Sequence, residues 1–310
     1  MTPLLSPELR RELQTLVARP VAWAAPMAAH TSLKIGGPAE ALVILESIEE
    51  ITALLVFARQ HGLPWRVLGK GSNLLIADDG LAGMTLVLGA AFHLLEKTGE
   101  REIAAGAASA LPALSYFCQG QGLAGLEFAA GIPGSLGGAV VMNAGAFGGQ
   151  IADCLSEIDL CGEDGVQTLP ATELCFGYRT WLDAAKWIGG LISQSVIVAA
   201  RFVLHEDEPA AIAARMRQYQ QTRRASQPQG VASAGSFFKN PPGDSAGRLI
   251  DACGLKGRRF GDAMVSPAHA NFLVNCGQAS ATDMCELARQ VCEEVFRRHG
   301  IHLEREVEAW

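Results

Sequence analysis

From Phe128 to Ala152 the chain carries no charged side chain, yet glycine recurs through the same stretch, together with Pro133 and Asn143. An uncharged run of this length suffices to cross a bilayer, but a spanning helix needs sustained apolar residues. The glycines instead read as a tight loop assembly. A second glycine cluster, Gly69-Lys70-Gly71-Ser72-Asn73, lies between two strand-like segments, Trp65 to Leu68 and Leu74 to Ala77. Glycine permits turns closed to other residues, and successive amide hydrogens in such turns converge on phosphate. Gly131-Ile132-Pro133-Gly134-Ser135-Leu136-Gly137-Gly138 offers the same chemistry, extended by Asn143, Ala144 and Gly145. Neither loop ends in the Gly-Lys-Ser/Thr of a Walker A motif, and neither has the setting of a Rossmann fingerprint. A diphosphate cradle and a pair of packed turns both fit.

The remainder of the chain is ordinary globular text. Its 310 residues favour two or three domains, and 49% hydrophobic against 18% charged residues suffices for a buried core. The net charge of -7 argues against nucleic-acid backbones and anionic membranes as partners. Eight cysteines without CxxC spacing read as small buried hydrophobes in a reducing compartment. Met1 to Leu16 lacks the basic and apolar regions of a signal peptide, so a cytoplasmic protein is expected.

Strand and helix signals alternate along the first part. Ser47, with Glu50 three residues on, predicts a capping box for a helix ending at His61-Gly62. Met84 to Leu88, Glu102 to Ala105, Ile158 to Leu160 and Ile192 to Leu204 read as strands, and Leu111 to Phe117 as a helix. Asp207-Glu208-Pro209 starts a helix reaching Arg224, and Ser280 to His299 forms another, with Met284, Leu287 or Ala288, Val291 and Val295 as its apolar stripe. Mixed elements without regular βαβ repetition favour an α+β or segregated α/β architecture.

Among ionisable groups, Arg179 follows an aromatic in Phe176-Gly177-Tyr178-Arg179. Its fork of donors suits a carboxylate or phosphate ligand, or a structural ion pair. Gly235-Ser236-Phe237-Phe238-Lys239-Asn240-Pro241 is a folded turn or a ligand-facing loop. No metal-spaced His/Cys cluster occurs, so no metal site is expected. Ser236 lacks a nucleophile elbow, His269 reads as a loop-orienting residue and Glu306 as a tail carboxylate. On residues alone, the chain is a soluble enzyme for a phosphorylated or dinucleotide ligand.

Taken in order, the motifs say more. Thr31 to Ala39, Gly69 to Leu75, Gly131 to Gly148, Phe176 to Arg179, Arg223-Arg224 with Gln227-Pro228, and Ala234 to Pro241 are followed by four more. These are Ala246 to Ile250, Gly254 to Gly257, His269 to Phe272 and Leu303 to Val307. The ordered set resembles the UDP-N-acetylenolpyruvoylglucosamine reductase family, flavoproteins also called UDP-N-acetylmuramate dehydrogenases, over residues 25 to 307. The resemblance implies an α+β fold with a two-part FAD-binding domain of the vanillyl-alcohol oxidase (PCMH) type over residues 1–203. A smaller α+β substrate-binding domain over 204–310 follows, its last residues returning toward the active site. It implies that Gly69, Lys70, Gly71, Ser72 and Asn73, with Gly131, Ile132, Gly134, Ser135 and Gly138, hold the FAD diphosphate. Asn143, Ala144 and Gly145 would lie close to the flavin.

The implied reaction is reduction of FAD by NADPH, then hydride delivery to the enolpyruvyl carbon of a sugar nucleotide used for peptidoglycan. By the same resemblance, Arg179 and Glu306 stabilise the enolate-like charge and Ser236 donates the proton. Tyr178, Lys239, Asn240, Arg248, His269 and Asn271 would bind substrate. The spacing from Arg179 to Ser236 resembles the shorter family form, which lacks a tyrosine-bearing substrate loop. Trp181 stands where serine is common in the family, and Arg305 where proline is common before the glutamate. No nucleic acid and no stable membrane contact is expected, and the chain is expected to be a monomer or weak dimer. Another flavin oxidase of the same fold and a non-catalytic nucleotide-binding protein are the alternatives.

Overall fold

The computed structural model describes residues 3–188 and 195–310. Strand Pro38–Leu45 is buried along most of its length, as expected of a strand covered on both faces. It pairs in parallel with Leu81–Leu88, which pairs in parallel with Trp65–Val67, while Ala22–Pro26 adds an antiparallel edge. Helix Ile48–His61 lies beside this sheet. Ser47 Oγ accepts from Glu50 N at 3.2 Å, and Gly62, at φ 60°, closes the other end. The reciprocal half of the expected capping box is missing. The Glu50 carboxylate accepts instead from Glu46 N and Ala18 N, tying the helix start to the segment before Ala22.

A second, antiparallel sheet runs in the order Gly165–Pro170, Leu155–Gly162, Val196–Val203, Glu102–Gly106, Leu95–Lys97. The two sheets share one apolar core with helix Leu111–Gly120, which continues past the expected Phe117 and turns at Gln121 and Gly122. The start of the strand expected from Ile192 lies outside the described residues; the described strand begins at Val196. The uncharged glycine block folds as a 3-10 turn at Glu127–Gly131, a short helix at Leu136–Val141, and a small hairpin of Gly145–Ala146 with Gly149–Gln150. No described helix is long and apolar enough to cross a membrane.

Helix Pro209–Ser226 starts on its proline, whose missing N–H is no loss in a first turn. It packs on the glycine block, with Ile212 and Met216 against Ala124 and Ala130. By packing, it goes with the residues that precede it.

The C-terminal part has a four-stranded antiparallel sheet, Ala232–Ser233, Leu273–Asn275, Ala263–Val265 and Arg259–Phe260. Helices Ala246–Ala252 and Ala281–His299 cover it. The latter buries Met284, Leu287, Ala288, Val291 and Val295, the expected stripe, behind a full capping box between Ser280 and Asp283. This core is closed by Leu33, Ile35 and Leu75, contributed from the first part. Two polar contacts reinforce that seam. Asn275 Nδ2 donates to Leu33 O at 3.0 Å, and the Asp78 carboxylate accepts from Ala281 N, Thr282 N and Thr282 Oγ1 at 2.7–3.0 Å.

Candidate active site

The two glycine loops are in contact. Ser72 Oγ donates to Pro133 O at 2.8 Å, and a Cβ placed on Gly69 would lie 2.3 Å from Ser135 Oγ. Gly71, at φ 60°, passes so close to His30 that an added Cβ would sit 2.0 Å from its carbonyl oxygen. Leu111 N donates to Gly134 O at 3.0 Å and Leu136 N to Ser109 O at 2.9 Å, pinning the second loop to the antiparallel half. Among the described residues, the amides of Lys70, Gly71, Ser72, Asn73, Gly134 and Ser135 find no protein acceptor. Unpaired donors on two touching, side-chain-poor loops fit a diphosphate, so the residues present suit FAD.

Arg179 sits in the turn between Phe176–Gly177 and Thr180–Trp181, at φ 56°. Trp181 roots this hairpin: its ring is buried, lies beside Phe176, and Nε1 donates to Asp183 Oδ1 at 2.7 Å. The tryptophan that stands where serine is common in the family therefore fills core at the root of the turn that carries Arg179. Asn143, buried and at φ 40°, fastens the hairpin to the glycine block. Its Nδ2 donates to Gly177 O at 2.9 Å and Gln150 Oε1 at 3.0 Å, and its Oδ1 accepts from Ala152 N at 3.0 Å. Both polar atoms of its side chain are thus committed to protein. Gly145 leaves room for Arg179, since an added Cβ would lie 2.9 Å from Nη1. Ala144 is held by Ala144 N to Ala139 O at 2.8 Å and lies half-buried.

Glu306 approaches from the far end of the chain. Phe238 and Arg305 form an antiparallel bridge, Lys239 N donates to Glu304 O at 2.8 Å, and Glu306 N to Phe237 O at 2.9 Å. Beyond Glu306 the tail changes partner: Glu308–Ala309 pairs in parallel with Leu74–Leu75. Arg305 thus makes a regular backbone pairing where a proline was expected. The result is an Arg179 Nε to Glu306 Oε1 contact of 3.4 Å, both side chains about four-fifths buried. Burial pushes the Glu306 carboxyl above the usual range, with the charges of Arg179 and Lys239 opposing it. Ser236 is half-buried and adjoins Phe237, the residue that receives the Glu306 amide.

The expected substrate-binding residues divide. The Tyr178 ring lies under the Arg179 guanidinium at 5.1 Å, and Lys239 is close enough to influence Glu306 while pairing with Glu304 at 2.5 Å. Asn240 Oδ1 accepts from Ala246 N at 3.1 Å, which starts a helix. Three others are engaged with the protein itself. Asn271 is buried, donates to Phe238 O at 2.8 Å and accepts from Phe238 N at 3.0 Å, so both polar atoms hold the Ser236 segment. His269 turns Nδ1 to its own loop, accepting from Asn271 N at 3.2 Å, with its ring edge on Phe272. Arg248 forms an exposed pair with Asp244 one helical turn away.

Arg223, part of one of the ordered motifs, receives no role of its own from the sequence. Its guanidinium donates to Gly131 O, its Nε is enclosed without a partner, and it has no carboxylate partner among the described residues. Burial, then the charge of Arg179, weaken its hold on the proton. A half-buried cation with an enclosed orphan donor beside the glycine block fits an anionic ligand. The Arg-Arg pair before Gln227-Pro228 was the available signal, but burial is not visible in a charge pattern.

The loops, the two-sheet core behind them and the appended lobe define an FAD-binding flavoprotein. Residues 39–169 match the family model described as FAD binding domain. Residues 227–310 match that of the UDP-N-acetylenolpyruvoylglucosamine reductase C-terminal domain. A UDP-N-acetylenolpyruvoylglucosamine reductase 2 of Symbiobacterium thermophilum is 42% identical over 99% of this chain and 97% of its own. A reductase of the same name from Geobacter sulfurreducens is 43% identical over 91% of each. The crystal structure of the Thermus caldophilus UDP-N-acetylenolpyruvylglucosamine reductase superposes with a TM-score of 0.79 at 39% identity, covering 94% of this chain and 99% of that one. The chain belongs to the UDP-N-acetylenolpyruvoylglucosamine reductase family.

Proposed function

We propose that this chain reduces the enolpyruvyl group of UDP-N-acetylenolpyruvoylglucosamine to UDP-N-acetylmuramate, with NADPH as electron donor, in the cytoplasmic synthesis of peptidoglycan precursor. The observation that carries this reading is the buried Arg179–Glu306 pair, set beside the Ser236 segment and the FAD loops. FAD, held by the amides of residues 70–73 and 134–135, supplies the two-electron chemistry between the two substrates.

The protein's own task is charge and proton. As the terminal enolpyruvyl carbon is reduced, negative charge develops on its neighbour and spreads into the carboxylate. Arg179, held at a fixed turn, places a permanent cation there in a poorly solvated site, where such a charge counts most. Glu306 orients that guanidinium, and its raised affinity for a proton lets it donate a hydrogen bond to the developing oxyanion. Ser236 supplies the proton to the carbon. A serine hydroxyl is a weak acid, so the step relies on the adjacent cations and the exclusion of water. Lys239 and Tyr178 are the better candidates for the substrate's anionic parts, and Arg223 for an anionic edge near the glycine block.

The domain division supported by packing falls near residue 227, after the helix that rests on the first part. The deciding experiment is a visible spectrum of purified protein followed by an NADPH-oxidation assay. A yellow protein whose NADPH oxidation rises on adding the enolpyruvyl sugar nucleotide is expected. Protein that takes up no flavin on reconstitution would overturn the reading.

A further inference from the structure

Asn73 belongs to the glycine loop, and its residue type there suggests a phosphate contact. Its side chain points elsewhere in the bonding pattern: Nδ2 donates to the backbone carbonyl of Glu306 at 3.0 Å. Its own carbonyl accepts from Glu308 N at 3.0 Å. The pairing continues as Glu308–Ala309 alongside Leu74–Leu75, then Trp310 N to Leu75 O at 3.0 Å and Ala77 N to Trp310 O at 2.7 Å. On the other side, the Glu306 amide donates to Phe237 O at 2.9 Å. The peptide of Glu306 is therefore bracketed, its N–H satisfied by the segment carrying Ser236 and the following carbonyl by Asn73.

A carboxylate side chain is aimed by the backbone on either side of it. Glu306 needs such help, because its contact to Arg179 is a loose 3.4 Å and burial works against its charged form. We infer that Asn73 is a positioning residue for Glu306, fixing the tail so that the carboxylate faces Arg179. Its side chain serves the acid–base half of the site, while its backbone amide remains available to the diphosphate. The inference rests on the reading of Glu306 given above. It also ties the two halves of the reaction to one residue: the loop that grips FAD registers the tail that carries the carboxylate.

The test uses the full-length holoenzyme in three variants, Asn73→Ala, Glu308→Pro and Glu306→Gln, with FAD content and both half-reactions measured by rapid mixing. Glu308→Pro removes the N–H that the Asn73 carbonyl accepts and leaves every side chain of the glycine loop in place. Asn73→Ala and Glu308→Pro should both keep parental FAD content and flavin reduction by NADPH. Reoxidation by the enolpyruvyl substrate should slow about 100-fold in each, the scale expected for misplacing a catalytic group by an ångström. Its pH profile should shift as well, because Glu306 loses its fixed distance to Arg179. Loss of FAD in Asn73→Ala with Glu308→Pro normal would return Asn73 to the cofactor cradle and overturn the inference. Unchanged reoxidation, or equal slowing of both half-reactions, would also overturn it. If Asn73→Ala fails to fold, Asn73→Leu, close in size and without the Nδ2 donor, takes its place in the same measurements. Slow reoxidation in Glu306→Gln with normal rates in the other two leaves the catalytic reading standing and removes the positioning role. Normal reoxidation in Glu306→Gln removes the catalytic reading itself.

Discussion

The glycine loops offer a ligand backbone amides that need no side chain, whereas the acid–base site must gather Arg179, Ser236 and Glu306 from three distant stretches of sequence. The first is tolerant of side-chain identity and intolerant of added bulk. The second is the reverse: each side chain matters, and the scaffold matters through where it puts them. The loops are also held within one domain, while the carboxylate is suspended between two.

Substitutions at the two regions should fail in different ways. Ser236→Ala has the largest expected effect: loss of a proton donor slows reoxidation by the enolpyruvyl substrate by roughly 10²- to 10⁴-fold, with NADPH-driven flavin reduction intact in rapid-mixing spectra. Equal slowing of both steps would erase the distinction. Gly69→Ala attacks the other region through bulk alone, since its Cβ would meet Ser135 Oγ at 2.3 Å. Overpacking costs on the order of 1–3 kcal/mol, so FAD affinity measured by flavin titration should fall about tenfold. Adding Ser135→Ala should restore much of it; failure to do so would mean that contact is not the obstacle.

Asn271→Ala should lower the thermal midpoint, because the buried Phe238 N–H and C=O lose partners worth roughly 1–3 kcal/mol. If the residue bound substrate, KM would rise with no change in melting. Lys239→Met should move a pH limb. Burial already holds the Glu306 carboxyl high, and Lys239 opposes that, so removing its charge raises the carboxyl further. The limb on which activity is lost as Glu306 gives up its proton then shifts to higher pH; an unmoved limb would separate Lys239 from the carboxylate. Arg248→Ala has the smallest expected effect, with both half-reactions unchanged, since its guanidinium is engaged with Asp244 on the surface.

Legibility followed the same divide. Glycine spacing announced the two loops because backbone chemistry leaves its mark on residue type, and the stripe from Met284 to Val295 announced its helix through periodicity. Leu74–Leu75 read as a strand, but its partner, the tail, lay at the opposite end of the chain and left no local signal. The same holds for Asn271 and Asn143. Polar residues in recognisable motifs suggested ligand contacts, whereas burial assigns their amides to Phe238 and Gly177. Arg223 shows the converse: nothing in a pair of adjacent arginines tells which one the fold encloses, and it is the Nε of Arg223 that is enclosed. The trio of Arg179, Ser236 and Glu306 rested on family resemblance, and the folded chain adds the contact between the first and last.

The bracketed peptide of Glu306 has a mechanical consequence. Its N–H is bonded to the C-terminal lobe and its C=O, one peptide unit on, to the FAD-side loop, so this one residue is tied to both lobes at the seam. Any hinge that drew them apart would have to break one of those bonds and carry the carboxylate away with the lobe that kept the other. Opening the cleft and switching off the acid–base site would then be one motion, and a reduced enzyme caught open would have no assembled carboxylate with which to react prematurely.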